Sequence, residues 1–305
     1  MSAAGPSDTR TCGEPVSARD GVAERTIQKA EILAEALPYI REFTGKTVVI
    51  KYGGHAMDDP SLADLFAQDV VLMRVVGMNP VVVHGGGPQI TELMRRLGKE
   101  PEWVDGLRVT DAETVDIARM ALVGQVNGQI VASLNRHGSY AVGLSGEDAG
   151  LITAEVRDKR LGFVGDVRRI DPSIIVRLLR EELIPVIATM GVDAEGQGYN
   201  VNADTVAGAI AESLEAEKLV YLTDVAGLYR DFDDPDSLIS DTDVAGLTGL
   251  TETGAFDKGM IPKVASCIQA LRNGVARAHI LDGRIPHALL LEFFTREGIG
   301  TMVTP

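Results

Sequence analysis

Six short apolar, β-branched runs recur along this chain, each separated from the next by residues with helical spacing. They fall at residues 47–51, 80–84, 141–144, 184–188, 219–222 and 278–281. The helical patterns fall near residues 61–76, 88–98, 111–136, 172–181, 203–215, 262–273 and 286–297. Strands that are apolar on both faces need cover on both faces, and helical crossovers join strands in parallel. The chain therefore reads as α/β, with a mainly parallel sheet between helices. Residues 151–171 break the alternation and read as a β-hairpin turning near residues 159–162. At 305 residues the chain suits two domains or one large α/β unit.

The N-terminal segment has a different texture. Residues 1–25 hold Gly, Pro, Ser, Thr and charge without an apolar period, and they read as a disordered tail. From Thr26 onward, Ile27, Ala30, Leu33, Leu37 and Ile40 recur at helical spacing. The pattern predicts a helix over residues 26–43, capped by Thr26 and kinked or broken at Pro38.

Charge and cysteine content narrow the function. The chain carries 29 basic and 44 acidic residues, a formal charge of −15. Nucleic-acid and anionic-membrane binders need a basic surface, so neither partner is expected. An anionic substrate is still allowed, provided that the charges which bind it are concentrated locally. The two cysteines, Cys12 and Cys267, form no CxxC, which excludes a zinc ribbon or disulfide scaffold and fits a reducing cytoplasm. No apolar run reaches the ~18 residues of a membrane span, and the N-terminus lacks a signal-peptide apolar region.

Ligands of open α/β sheets bind beyond the carboxyl ends of the strands. Here those ends carry Lys51-Tyr52-Gly53-Gly54, His84-Gly85-Gly86-Gly87, Ser145-Gly146, Met190-Gly191, Thr223-Asp224 and Asp282-Gly283. The common nucleotide motifs fail. Gly45-Lys46-Thr47 precedes its strand and has Ile40 where a P-loop needs glycine, and HGGGP at 84–88 does not match GxGxxG. In VVIKYGG, Lys51 offers a compact charge and Gly53 and Gly54 open backbone amides to phosphate oxygens. A simple β-turn explains that segment about as well. Gly85, Gly86 and Gly87 read as an anion cradle, since a tight turn needs only one glycine. His84 reads as a structural histidine.

Other segments are weaker alone. Arg108, in DGLRVTD, has the fork that grips carboxylates, though a lone arginine is more often solvated. YNVNAD places Asn200, Asn202 and Asp204 at a helix start, where capping explains only one of them. Thr223, Asp224 and Gly227 suit a nucleotide-lining loop or an ordinary turn. Lys263 sits near a helix N-terminus, against the dipole, which makes sense beside an anion, though a long flexible lysine pointing to water also explains it.

KYGG, HGGGPQI, GLRVT, NVNAD, LTDVAGLY and GMIPKV occur in one order that resembles the amino-acid kinase family, in particular its acetylglutamate kinases. The resemblance covers about residues 26–303. Aspartate kinases have hydroxyl residues where His55-Ala56 stand, and acetylglutamate synthases add an acetyltransferase domain for which few residues remain here. One departure is Lys258, where many relatives have glycine. The resemblance implies a three-layer αβα sandwich preceded by a kinked helix. The acceptor lobe would span about residues 44–195 and the ATP lobe about 196–305.

The implied reaction moves the γ-phosphoryl of ATP to the side-chain carboxylate of N-acetyl-L-glutamate, a step of arginine biosynthesis in the cytoplasm. By resemblance, Lys51 stabilises the moving phosphoryl group, Lys263 the leaving ADP oxygens, and Asp204 holds both lysines. Gly53, Gly54, Gly85, Gly86 and Gly87 would donate amides, while Arg108 and Asn200 fix the acceptor. Thr223, Asp224, Gly227 and Lys263 would line the nucleotide, with Mg²⁺ carried on its phosphates and no metal held by the protein. The resemblance also implies feedback inhibition by L-arginine at Tyr39, His279, Glu292 and Gly298. It implies a homo-hexamer, a trimer of dimers interlaced through the N-terminal helices. Two alternatives remain: a kinase of this fold acting on another amino acid, or a non-catalytic arginine sensor. The retained Lys51, Lys263 and Asp204 argue against the second.

Overall fold

The computed structural model describes residues 18–305 except 58, 105, 232–233, 253–255, 257–258 and 297. Positions 1–17 of the expected tail and Lys258 lie outside the described residues. The chain enters through α1 (Ala18–Phe43), which starts before the predicted Thr26 and runs on through Pro38 without a break. Pro38 removes one backbone donor from the helix, which the remaining turns bridge.

The first half of the chain builds β1 (Thr47–Tyr52), α2 (Pro60–Val75), β2 (Asn79–His84), α3 (Gly87–Arg96), the ribbon β3 (Trp103–Val104) and β4 (Leu107–Arg108), and α4 (Ala112–Arg119). A π-helical segment, Met120–Asn127, links α4 to α5 (Gly128–Asn135), so the single helix predicted at 111–136 is widened in its middle. Then follow β5 (Ala141–Ser145), β6 (Ile152–Val156), β7 (Val164–Ile170), α6 (Ser173–Arg180), β8 (Ile184–Ala188), β9 (Met190–Val192) and β10 (Gly198–Val201). The second half adds α7 (Ala203–Ser213), β11 (Lys218–Thr223), the pair β12 (Leu228–Tyr229) and β13 (Leu238–Ile239), and β14 (Asp241–Asp243). It closes with α8 (Val244–Glu252), α9 (Met260–Arg272), β15 (Arg277–Asp282), α10 (Ala288–Phe294) and β16 (Thr301–Thr304).

The main sheet runs β14-β16-β15-β11-β1-β2-β8-β5. All six predicted strands are in it and pair in parallel. Two strands at one end of the sheet were not predicted; β16 pairs antiparallel to β15, and β14 lies parallel to β16 at the edge. Successive β1 residues feed opposite cores. Val49 packs with residues of α7 and α9, while Val48 and Ile50 pack with residues of α2, α5 and α10. That alternation makes the three layers.

The predicted hairpin is β6–β7, and it closes a small barrel with β9 and β10 in the order β10-β7-β6-β9. Glycines make the barrel tight: a Cβ on Gly165 would come within 2.8 Å of Tyr199, and one on Gly191 within 2.8 Å of Ala154. The expected lobe boundary at 195/196 falls between β9 and β10, which pair with each other, and β10 also pairs with β7.

Chain order reverses around β1, with β2 on one side and β11 on the other. This switch point opens a crevice at the carboxyl ends of the strands, where Lys51, His84 and Thr223 stand.

Candidate active site

The site is built from the start of α7. Asn202 caps that helix, its Oδ1 accepting from the N–H groups of Asp204 at 2.9 Å and Thr205 at 3.1 Å. The cap sets Asp204 in the first turn, where the helix dipole favours a carboxylate. Two ammonium groups converge on one oxygen of it. Lys51 Nζ, from the end of β1, lies 3.2 Å from Asp204 Oδ1, and Lys263 Nζ, from the first turn of α9, lies 3.0 Å away. Burial works to raise the Asp204 carboxyl, but the two lysine charges outweigh it and hold the group below its usual range. Burial lowers the Lys263 ammonium despite the pull of Asp204.

The cluster rests on a rigid floor. Tyr221 Oη donates to Ser266 Oγ at 2.7 Å, and Ser266 Oγ donates to the Asp204 carbonyl at 2.8 Å. The Tyr221 ring also lies 5.0 Å from Lys263 Nζ. Gly208 permits this packing of α9 on α7, because a Cβ there would collide with Ser266 Oγ. Gly53 does the same for Lys51, since its Cβ would lie 2.8 Å from Nζ.

A cleft of about 310 Å³ opens beside the cluster. Lys51, Asp204, Gly53, Gly54, Gly85, Gly86, Gly87, Arg108 and Asn200 all line it, so the predicted catalytic and acceptor residues are brought together, with Lys263 joined through Asp204. Arg108 is buried rather than solvated. One of its amino groups donates to Gly87 O at 3.0 Å and Thr91 Oγ1 at 2.8 Å, and Trp103 lies 4.5 Å over its guanidinium. Two ammoniums against one carboxylate leave a net positive focus, with glycine backbone beside it and an anchored guanidinium across the cleft. That arrangement suits an anion whose charge shifts during reaction. A larger groove, about 650 Å³ between β7, α7 and α9, adjoins the cleft at Leu107, Arg157 and Asn202 but contains neither lysine.

The predicted nucleotide residues lie at the end of β11. Thr223 ends the strand, and Asp224 presses against Gly54, whose Cβ would fall 2.5 Å from its Oδ1. Gly54 has φ 75°, a conformation that favours glycine. Gly227 faces Thr301, where a Cβ would fall 2.5 Å from Oγ1, so packing against β16 accounts for that glycine. Among the described residues, no group of three or more His, Cys, Asp or Glu side chains could hold a metal ion, and no helix is long and apolar enough to cross a membrane.

The residues predicted for arginine form a second cluster beside α1. His279 Nδ1 lies 2.6 Å from Glu292 Oε1, and Ile299 N–H donates to Glu292 Oε2 at 2.9 Å. Gly298, at φ 62°, lies so close that a Cβ would be 3.0 Å from Glu292 Oε2. Burial lowers the imidazole, so a neutral ring donates from Nδ1 to an ionised carboxylate. His279 Nε2 is then a buried acceptor with no partner among the described residues. Tyr39 packs into the same core cluster as Phe43 and Phe293. Sequence reasoning missed Lys218, which lies 4.6 Å from both the Phe43 and the Phe293 ring; the signal was a lysine opening an otherwise apolar strand. It also missed Trp103, which covers Arg108 across the β3–β4 ribbon, and Tyr221 and Ser266, which act through contacts distant in sequence.

The sheet, the switch-point cleft and the lysine–carboxylate–lysine cluster define a site for phosphoryl chemistry. The amino acid kinase family profile matches residues 46–282, and the chain belongs to that family. Within it the chain stands with the acetylglutamate kinases. It is 53% identical over 290 residues to the acetylglutamate kinase of Moorella thermoacetica, covering 92% of this chain and 98% of the relative. It is 55% identical over 291 residues to that of Symbiobacterium thermophilum, covering 92% and 99%. Among solved structures, N-acetylglutamate synthase from Neisseria gonorrhoeae complexed with coenzyme A and N-acetyl-glutamate superposes with a TM-score of 0.79 at 29% identity, over 90% of this chain and 63% of that one. The same synthase complexed with coenzyme A and L-arginine gives 0.75 at 28% identity, over 90% and 65%.

Proposed function

We infer that this chain transfers the γ-phosphoryl group of ATP to the side-chain carboxylate of N-acetyl-L-glutamate, releasing ADP and an acyl phosphate for arginine synthesis. The observation that carries this reading is the pair of lysines on Asp204, at a cleft whose far wall is Arg108. The acceptor carboxylate, with an unperturbed pKa near ~4.3, is ionised at pH 7 and needs no general base. Catalysis is then positioning and charge neutralisation. Lys51 stabilises the moving phosphoryl group and Lys263 the leaving ADP oxygens, while Asp204 fixes both. The amides of the two glycine turns receive the phosphoryl oxygens and the acceptor. Arg108 binds the α-carboxylate and Asn200 the acetamido acid. Thr223, Asp224 and Gly227 belong to the nucleotide side. Asp204 is committed to two lysines and does not suit Mg²⁺, which rides on the nucleotide phosphates. The acceptor lobe spans about residues 44–195 and the ATP lobe about 196–305. The enzyme works in the cytoplasm.

Arg108→Lys keeps the charge but loses the planar fork and its contacts to Gly87 O and Thr91. Initial rates should give a raised KM for acetylglutamate with KM for ATP almost unchanged. Equal damage to both would move Arg108 out of the acceptor site.

L-arginine is the feedback inhibitor. The ionised Glu292 suits a guanidinium or ammonium group, and His279 Nε2 offers a buried acceptor for one of its N–H bonds. Tyr39 packs into the core cluster of Phe43 and Phe293, and Lys218 lies 4.6 Å from both rings, which brings α1 beside His279 and Glu292. Further out on α1, Ile27, Ile32, Leu33 and Leu37 are exposed apolar residues, a face for the helices of neighbouring copies in a hexameric ring. Arginine favours one ring geometry and thereby raises the acetylglutamate requirement. Deleting residues 1–37 removes that face but spares Tyr39 and the buried Phe43. The truncated enzyme should be active, smaller on sizing and weakly inhibited by arginine. An intact hexamer with unchanged inhibition would contradict this arrangement.

A further inference from the structure

His84 is fully buried at the end of β2, one residue before the glycine turn of the cleft. Its Nδ1 lies 2.9 Å from Gly85 O. A carbonyl only accepts, so Nδ1 carries the proton. Its Nε2 lies 3.0 Å from Asn127 Nδ2, which also donates to Val186 O at 2.9 Å. The Val186 carbonyl fixes which end of the amide is NH₂, and both of its protons are then used. Asn127 thus locks His84 as the Nδ1–H tautomer. Burial lowers the ring pKa to about 4, so the lock holds through neutral pH.

We propose that His84 is a positioning residue for the phosphoryl-transfer cleft: its Nδ1–H holds the Gly85 carbonyl, and so aims the Gly86 N–H into the site. The peptide bond is planar and trans, so its N–H points opposite to its C=O. Tying the carbonyl back toward β2 leaves the amide facing the cleft that Gly85, Gly86 and Gly87 line. The π-helical segment completes the device. It delivers Asn127 to His84 and packs Leu122 and Val126 on Gly86, whose Cβ would fall 2.7 Å from Leu122 Cδ2. Gly143 leaves room for Asn127, because a Cβ there would collide with Asn127 Oδ1. π-Helical turns are frequent at functional sites.

The inference rests on the kinase reading of the cleft, and its test is separable from that reading. In His84→Asn, the side-chain Nδ2 occupies the branch position of Nδ1 and still donates to Gly85 O. In His84→Leu, the space is better filled and the donor is gone. Leu should lower kcat ~10²-fold, the scale of a misplaced catalytic group, with KM for ATP unmoved. Asn should stay within ~10-fold of wild type, whichever variant melts lower. Equal kcat losses, or losses that follow melting temperature, would overturn the proposal. A second readout needs no variant. Nitrogen NMR of the full chain labelled in its five histidines, with the His84 ring assigned by its loss in His84→Asn, should show that ring protonated at Nδ1 and unchanged between pH 5 and 8, beside the Nδ1-protonated ring of His279. A His84 ring protonated at Nε2, or titrating in that range, would also overturn it. A wild-type chain that releases no ADP with acetylglutamate would refute the kinase reading instead.

Discussion

Lys263→Ala and Lys51→Ala are each expected to lower kcat by ~10²–10³-fold while the protein stays folded, the usual effect of losing one preorganised charge at a transition state. The two lysines reach Asp204 from elements far apart in the sequence, one from β1 and one from α9. Lys263 is the more buried, and its removal exposes the Tyr221 ring and leaves Asp204 with one partner. Removing Lys51 likewise leaves Asp204 with one partner, so both variants should lose stability as well as kcat, Lys263→Ala the more because Lys263 is the more buried. Circular dichroism and steady-state rates measured on the same preparations separate the two effects. Near wild-type turnover in either folded variant would remove that lysine from the chemistry.

Asp204→Asn should damage both activity and stability. It leaves two ammonium groups facing a neutral amide. Removing one partner of a buried charge cluster costs about 3–5 kcal/mol. The kcat loss should be at least that of either lysine variant and less than their product, because the three groups act as a unit. The pH dependence has a definite sign. The folded-state pKa of Asp204 lies below 3.8, so its contribution is present at pH above 3.8 and is lost as pH falls through the folded value. Denaturant titrations should show a stability gap between wild type and variant that is constant from pH 8 to about 4 and narrows only below that. A gap that closes by pH 6 would mean that Asp204 is not held ionised by the lysines.

Strand runs such as TVVIK and IPVIA were legible because burial on both faces leaves an unbroken apolar signature. The strands β14 and β16 were not. Asp241–Asp243 has no apolar residue at its ends, and Thr301–Thr304 follows glycines that a sequence reading assigns to a loop. The strands β9 and β10 were hidden by glycines whose purpose is close packing inside the barrel. In the site, glycine turns and charged strand ends marked the rim, but their meeting did not show. Arg108 reads as solvated until Trp103, Thr91 and Gly87 O close around it. Gly227 looked like a nucleotide-loop glycine, and its contact with Thr301 is a packing reason visible only in three dimensions. His84 reads as structural from its place before the glycine turn, but Asn127 gave no sign of being its partner, because their hydrogen bond spans 43 positions.

The most direct test of the account is ADP release from ATP by the full chain with N-acetylglutamate, glutamate, aspartate, carbamate or UMP as acceptor, with hydroxylamine present to trap an acyl phosphate. Turnover and hydroxamate formation should appear with N-acetylglutamate and be lost in Lys51→Ala and Lys263→Ala. Preferred turnover of another acceptor, or ADP release without a hydroxamate, would contradict it.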